Sequence, residues 1–171
     1  MNNAFVKTVL GQQFGAAIDM FGNTISACPD ELWQARLWPD QLPVFTEFWY
    51  LALHTLFWLD LYLSGAVEGF APPPPFTLDE LDPVGVAPAT PYTKAELQTY
   101  LNHCRCKCQT TIAELTDERA QQLCRFPWGE VSFGELQLYN MRHVQEHAAQ
   151  LSMFLGQERG LAARWVTKSQ P

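Results

Sequence analysis

The sequence predicts an all-α protein, a four-helix bundle with a long crossover between its second and third helices. Four segments carry apolar residues at helical spacing, no segment alternates convincingly between apolar and polar residues as strands do, and a proline-rich stretch lies near the middle of the chain. Because 47% of the 171 residues are hydrophobic, the chain has enough apolar material for a core of ordinary size. We therefore expect a single domain over residues 1–171.

The first predicted helix covers residues 4–27. Its apolar residues recur mostly at steps of three and four: Phe5, Val9, Ile18, Phe21 and Ile25. Pro29 ends the helix, and residues 31–43 form a connector that two prolines interrupt. We expect Trp33 and Trp38 of this connector to cover the core.

The second predicted helix begins near Pro43, a residue that a helix tolerates in its first turn, and ends at Ser64 or Gly65. Seven prolines in residues 65–91 then exclude regular structure over much of that stretch. A connection of this length favours two parallel helices, because the chain must travel the height of the bundle before the next helix starts. The proline-rich stretch is therefore the predicted crossover.

The third and fourth predicted helices each begin at a capping-box sequence, in which a hydroxyl residue precedes a glutamate by three positions. Thr93 and Glu96 provide this spacing for a third helix that covers residues 93–115. After a turn at residues 126–129, a serine and a glutamate repeat the spacing and start a fourth helix over residues 132–155. Both N-termini are therefore well defined by the sequence.

Charge and composition exclude several classes of partner. The formal net charge of −7 and the pI of about 5.0 argue against nucleic acid and anionic membranes, which require clustered basic residues. The most apolar stretch, residues 48–63, contains His54 and Asp60 and is shorter than the roughly 20 residues that span a bilayer. The first residues lack the basic region and apolar run of a signal peptide, so we expect a cytoplasmic protein.

Five cysteines, an odd number in a chain without export signals, predict reduced thiols rather than a disulfide framework. Three of them, Cys104, Cys106 and Cys108, stand close together in the third helix. In a regular helix Cys106 points away from the other two, so the three thiols cannot surround one metal ion. Either Cys104 and Cys108 pack while Cys106 is exposed, or the reverse holds. A redox or S-transfer role stays open, because Arg105 and Lys107 beside these thiols lower a thiol pKa.

Three histidines carry the chemically informative pattern. His143 and His147 are four residues apart, so in a helix their side chains project from one face about 5–6 Å apart. His54 lies in the apolar second helix, where a buried imidazole needs a partner. The residues alone leave two interpretations open: a metal site in the bundle core, or histidines that are hydrogen-bonded or exposed. Three neutral imidazoles would bind zinc or nickel and leave coordination positions open for water or substrate.

The residues around these histidines resemble the DinB-like superfamily, also called the YfiT-like metal-dependent hydrolases. Residues 132–151 are similar to the last helix of that family, and residues 53–58, Leu-His-Thr-Leu-Phe-Trp, are similar to the segment with its second-helix histidine. The resemblance implies a bundle with a divalent metal ion, often nickel or zinc, held by His54, His143 and His147. Some members of the family are thiol S-transferases or isomerases that use a low-molecular-weight thiol.

Two further residues are candidates for a catalytic role. Gln150 is one turn beyond His147 on the same helix face, where it either orients a ligand or bound water or is simply a polar residue at the end of the bundle. Glu47, seven residues before His54, is the candidate general base, the alternative being a solvated carboxylate. We assign both as candidate catalytic residues.

These observations support two hypotheses of different classes. The first is a metal-dependent hydrolase or thiol S-transferase that activates water or a low-molecular-weight thiol toward a small-molecule substrate. The second is a non-catalytic bundle in which the histidines or their metal stabilise the fold or an assembly with another copy. A homodimer is compatible with either hypothesis.

Overall fold

The computed structural model describes residues 3–39 and 43–169. Its described helices and strands are, in chain order, α1 (Asn3–Ala27), α2 (Phe48–Ser64), α3 (Lys94–Ala113), the short α4 (Asp117–Gln121), β1 (Leu123–Phe126), β2 (Gly129–Ser132) and α5 (Phe133–Arg159). Three short 3-10 helices, at Asp30–Leu32, Pro43–Thr46 and Asp79–Leu81, lie in the connections. The four long helices form the bundle, which confirms the predicted all-α fold.

The four long helices pack so that α1 and α2 occupy opposite corners and each contacts both α3 and α5. Helices α2 and α3 are parallel, because Cys104 approaches the carbonyl of Leu56 and Lys107 approaches Ser64 further along both helices. This is the arrangement that the long crossover at residues 65–91 predicts. None of the helices in the described parts of the chain is long and apolar enough to cross a membrane.

The helix ends follow the local signals in the sequence. Thr93 caps α3 in a complete capping box with Glu96, as predicted. Gly65 ends α2 with a φ of 82°, and its N–H donates to the carbonyl of Leu61. Helix α5 continues past the predicted residue 155 to Gly160, which adopts a φ of 65°. At both of these C-terminal ends glycine supplies the left-handed conformation that other residues avoid.

Two predictions about regular structure are wrong. The second helix begins at Phe48 rather than near Pro43, because the backbone at Glu47 is extended and pairs with Arg36 in an isolated β-bridge. The hairpin of β1 and β2 was not predicted, since each strand has only four residues and the predicted turn lies between them.

Buried aromatic side chains fill the core, and many of them are fully enclosed: Phe14, Phe21, Phe48, Trp49, Phe57, Tyr100 and Phe133. Trp33 is buried as expected, and its indole N–H donates to the carbonyl of Tyr92. The expectation for Trp38 is wrong, because its side chain is 39% exposed. The connector therefore covers the core with one tryptophan only.

The crossover is anchored to the bundle by two phenylalanines. The ring of Phe76 stacks on that of Tyr100 with centroids 4.3 Å apart, and the ring of Phe70 meets that of Phe57 edge-on at 5.4 Å. Both phenylalanines are buried. Their burial fixes the path of the crossover across α2 and α3, so the 3-10 helix Asp79–Leu81 lies against α2.

A buried carboxylate joins α2 to α3. The Asp60 side chain is 1% exposed and accepts hydrogen bonds from the ammonium group of Lys107 at 2.5 Å and from the hydroxyl of Tyr100 at 3.1 Å. The same ammonium group donates to Ser64 at 2.6 Å, and His103 Nε2 lies 3.4 Å from the carboxylate. Among the described residues the side-chain partners of Asp60 come from α3, so the cluster fixes the position of α3 along α2.

We predict that Lys107→Met lowers the free energy of unfolding by about 3 kcal/mol, because it leaves a buried carboxylate without its cation. The double variant Asp60→Leu/Lys107→Met should recover most of this loss, since it removes both charges. Arg125→Met is the control: it breaks an exposed ion pair with Glu130, for which we expect a loss below about 0.5 kcal/mol. Urea denaturation measures all three values. Equal losses for Lys107→Met and Arg125→Met would contradict the prediction.

Candidate metal centre

The three predicted histidines meet between α2 and α5. His54 projects from α2, and His143 and His147 project from successive turns of α5. The Nε2 atom of His143 lies 3.1 Å from that of His147 and 3.5 Å from that of His54. One nitrogen from each ring lies within 4.8 Å of the other two, and the described residues contain no second group of potential ligands this close.

These distances fit coordination of one ion. Zinc binds imidazole nitrogen at about 2.0–2.1 Å, so two nitrogens of a tetrahedral site stand roughly 3.3 Å apart. The two Nε2 separations of 3.1 and 3.5 Å lie on either side of that value. Without a bound cation, three nitrogen lone pairs at this separation repel one another. The arrangement therefore suits a divalent metal ion better than a set of mutual hydrogen bonds.

Two of the rings are oriented by hydrogen bonds from their other nitrogen. His54 Nδ1 lies 2.7 Å from Oε2 of Glu80, and His147 Nδ1 lies 2.7 Å from Oε1 of Gln150. Both oxygens are acceptors, so the proton of each neutral ring is on Nδ1 and the lone pair is on Nε2. This is the tautomer that a metal ligand at Nε2 requires.

The environment of His143 and His147 favours the neutral form of their rings. Burial, together with the neighbouring His147 and His54, lowers the pKa of His143 to about 2. Burial also lowers the pKa of His147, although the hydrogen bond to Gln150 partly opposes this effect. Neutral imidazole is the form that binds metal. These two rings can therefore bind a cation without first losing a proton.

Glu80 is the residue of the site that sequence reasoning missed. Its Oε2 accepts hydrogen bonds from His54 and from the indole N–H of Trp58, the latter at 2.9 Å. Burial by itself raises the pKa of Glu80, but the hydrogen bond and charge of His54 and the hydrogen bonds of Tyr50 and Trp58 outweigh it and hold the pKa below its usual value. No spacing in the sequence marks Glu80, because it reaches His54 from the irregular crossover.

The two predicted catalytic residues lie in different surroundings. Gln150 contacts His147, as described above, so it orients a candidate ligand. Glu47 stands before the first turn of α2, where its carboxylate accepts the indole N–H of Trp49 at 2.6 Å. The carboxylate that contacts a histidine of the cluster is that of Glu80. A part in the reaction for Glu47 or Gln150 stays a prediction.

Aromatic side chains line the site on the side of the β-hairpin. The ring of Tyr62 meets that of His143 edge-on, with centroids 6.2 Å apart, and also contacts Trp58 and Tyr139. Trp128 of the hairpin turn stacks on Tyr139 at 4.9 Å and donates its indole N–H to the Tyr62 hydroxyl. The unpredicted hairpin thus contributes an aromatic side chain that packs on Tyr62, the tyrosine whose ring contacts His143.

The cysteines of α3 follow the first of the two arrangements that the sequence allowed. Cys104 and Cys108 are buried and Cys106 is exposed, and all three thiols are free. Burial raises the pKa of Cys104 and raises that of Cys108 to about 12. The neighbouring cations are engaged elsewhere, Arg105 with Asp19 and Lys107 as described above. These two thiols are therefore unsuited to act as nucleophiles.

Comparisons with known proteins support the same assignment. No curated protein matches the chain. The family described as the DinB superfamily matches residues 13–151, a range that includes all three histidines, Glu80 and Gln150. This match covers most of the 171 residues and both helices that carry the cluster. The chain belongs to the DinB superfamily.

Proposed function

We propose that the protein is a metal-dependent enzyme of the DinB superfamily, in which His54, His143 and His147 hold one divalent ion that serves as the reactive centre. The observation that carries the proposal is the convergence of three Nε2 atoms. That of His143 lies 3.1 Å from that of His147 and 3.5 Å from that of His54. Zinc and nickel are the proposed metals, since both accept imidazole ligands.

Each residue of the site has a defined task in this proposal. Glu80 and Gln150 hold the rings of His54 and His147 with Nε2 directed at the ion. The His143 ring is kept neutral by burial. A divalent ion held by three neutral ligands would retain most of its charge and acidify a bound water or thiol toward neutral pH.

The proposed reaction is hydrolysis or transfer of a low-molecular-weight thiol to a small-molecule substrate. Three protein ligands leave room for an exchangeable one, as catalytic zinc sites do. Trp58 and Tyr139, which are both half-buried, would offer apolar surface to a substrate next to the ion. The competing hypothesis, a non-catalytic bundle that metal merely stabilises, shares the ligands but requires no turnover.

We predict that the protein, purified without a histidine tag, binds close to one equivalent of zinc or nickel per chain. His147→Ala should lose most of this metal and keep its fold, because the half-buried ring is one of three ligands and is not part of the core. Elemental analysis and circular dichroism measure the two properties. His103→Ala is the matched control, since this fourth histidine contacts Asp60 instead. Full metal occupancy in His147→Ala would refute the assignment.

We predict that Glu80→Gln weakens zinc binding by about 10–100-fold, because the ring of His54 loses its charged partner. Competition with a chromophoric chelator measures the affinity. Asp79→Asn is the control, as it removes a charge from the same 3-10 helix without removing a partner of His54. An affinity for Glu80→Gln equal to that of Asp79→Asn would show that Glu80 does not support the ligand.

The proposed activity is tested by comparing metal-loaded and chelated protein. The substrates are activated esters and amides in water, and small electrophiles supplied with low-molecular-weight thiols. We expect turnover that chelation and His147→Ala abolish and that His103→Ala retains. If chelation lowers the melting temperature but the loaded protein turns over none of these substrates, the non-catalytic hypothesis is supported and the enzymatic one is not.

A further inference from the structure

The third ring of the cluster differs from the other two in its Nδ1 atom. Nδ1 of His143 is buried and has no hydrogen-bond partner within the described residues, whereas His54 and His147 each have an oxygen partner at 2.7 Å. An unpaired buried donor is destabilising and leaves the ring without an orienting bond. The position of His143 therefore calls for an acceptor close to Nδ1.

Asn140 carries an acceptor of the complementary kind. Its side chain is fully buried, and its Nδ2 donates to the carbonyl of Leu59 on α2 at 3.0 Å. That bond fixes the orientation of the amide, so Oδ1 is the acceptor end, and this atom is also buried without a partner among the residues described. The Nδ2 group of the amide is thus hydrogen-bonded to α2, whereas its Oδ1 atom is buried without a hydrogen bond.

The two unpaired atoms lie on the same part of α5. Asn140 and His143 are three residues apart, which makes their side chains neighbours on the helix surface. Both face α2, since Asn140 contacts Leu59 and His143 contacts His54. Side chains in a helix lean toward its N-terminus, so the His143 ring leans toward the turn that contains Asn140. Because neither atom has a direct partner, one bridging water is the group that can join a donor and an acceptor in this relation.

We propose that Asn140 is a positioning residue for the metal ligand His143, with one bridging water that accepts the hydrogen bond from Nδ1–H and donates to Oδ1. The inference rests on the proposed metal function. It gives each of the three rings an oxygen partner: Glu80 for His54, Gln150 for His147 and, through the water, Asn140 for His143. All three Nε2 atoms then present a lone pair to the ion.

Two other groups near the ring are poorer candidates. Gln137 also has a buried unpaired oxygen, but it lies six residues before His143, which is about 9 Å along the helix axis. The Tyr62 ring approaches His143 edge-on, and its hydroxyl already accepts the indole N–H of Trp128. Of the two α5 residues with a buried unpaired oxygen, Asn140 is the one closer to His143 along the helix.

The test compares Asn140→Leu, Asn140→Asp and Gln137→Leu. Asn140→Leu removes the acceptor and should weaken zinc binding by about 10–100-fold. Asn140→Asp keeps an acceptor but loses the bond to Leu59, so it should lower stability while zinc affinity does not fall below that of wild type. Gln137→Leu is the matched control, since it removes the same kind of amide bond to the α2 backbone and should leave zinc affinity unchanged.

A second measurement needs no metal and can decide the question on the wild-type protein. Long-range ¹H–¹⁵N correlation spectra of the metal-free protein report which nitrogen of His143 carries the proton. We expect Nδ1–H in wild type and in Asn140→Asp, and a mixture of tautomers in Asn140→Leu. A wild-type ring protonated at Nε2 would overturn the inference even if Asn140→Leu fails to fold.

The outcomes separate this inference from the proposed function. Unchanged zinc affinity in Asn140→Leu, or an equal loss in Gln137→Leu, would overturn the positioning role while metal binding stands. Failure of wild type to bind zinc or nickel would remove the proposed function, and the tautomer measurement would still decide whether Asn140 pairs with His143.

Discussion

The antiparallel contact between α2 and α5 is the constraint on which the site depends. Two buried amides of α5 hold it: Gln137 donates to the carbonyl of Tyr62 and Asn140 to that of Leu59. As the numbers on α5 rise, those on α2 fall, so the next turns bring His143 to His54. Hydrophobic packing alone tolerates sliding of one helix along the other. Buried amides with fixed acceptors do not, because a slip would leave them unpaired.

The crossover serves both the topology and the site. Its length permits α2 and α3 to run parallel, and its buried phenylalanines attach it to the bundle. The same attachment carries Glu80 to His54. A carboxylate so deeply buried is stable only with several donors, and those donors come from α2. The irregular segment is therefore part of the candidate metal centre as well as a connection.

Helix α2 carries one aspartate and one histidine in a largely apolar sequence, and each is satisfied by a different neighbour. Asp60 is paired with the lysine and tyrosine of α3, which fixes the parallel helix pair. His54 is turned toward the two histidines of α5, and its other ring nitrogen contacts the glutamate of the crossover. The helix thus connects a structural ion cluster on one side with a candidate metal centre on the other. Its apolar residues fill the space between these two polar clusters.

The sequence by itself determined the four long helices, the crossover and the three histidines. Capping residues, glycines and prolines act through local backbone geometry, so their positions predict helix ends within a few residues, as at Thr93 and Gly65. The spacing of His143 and His147 likewise needs only a regular helix. Only the tertiary structure decided which other groups meet them. Glu80 reaches His54 through the path of an irregular segment, and His143 meets His54 through the register of α2 and α5, so both contacts depend on packing between residues distant in sequence.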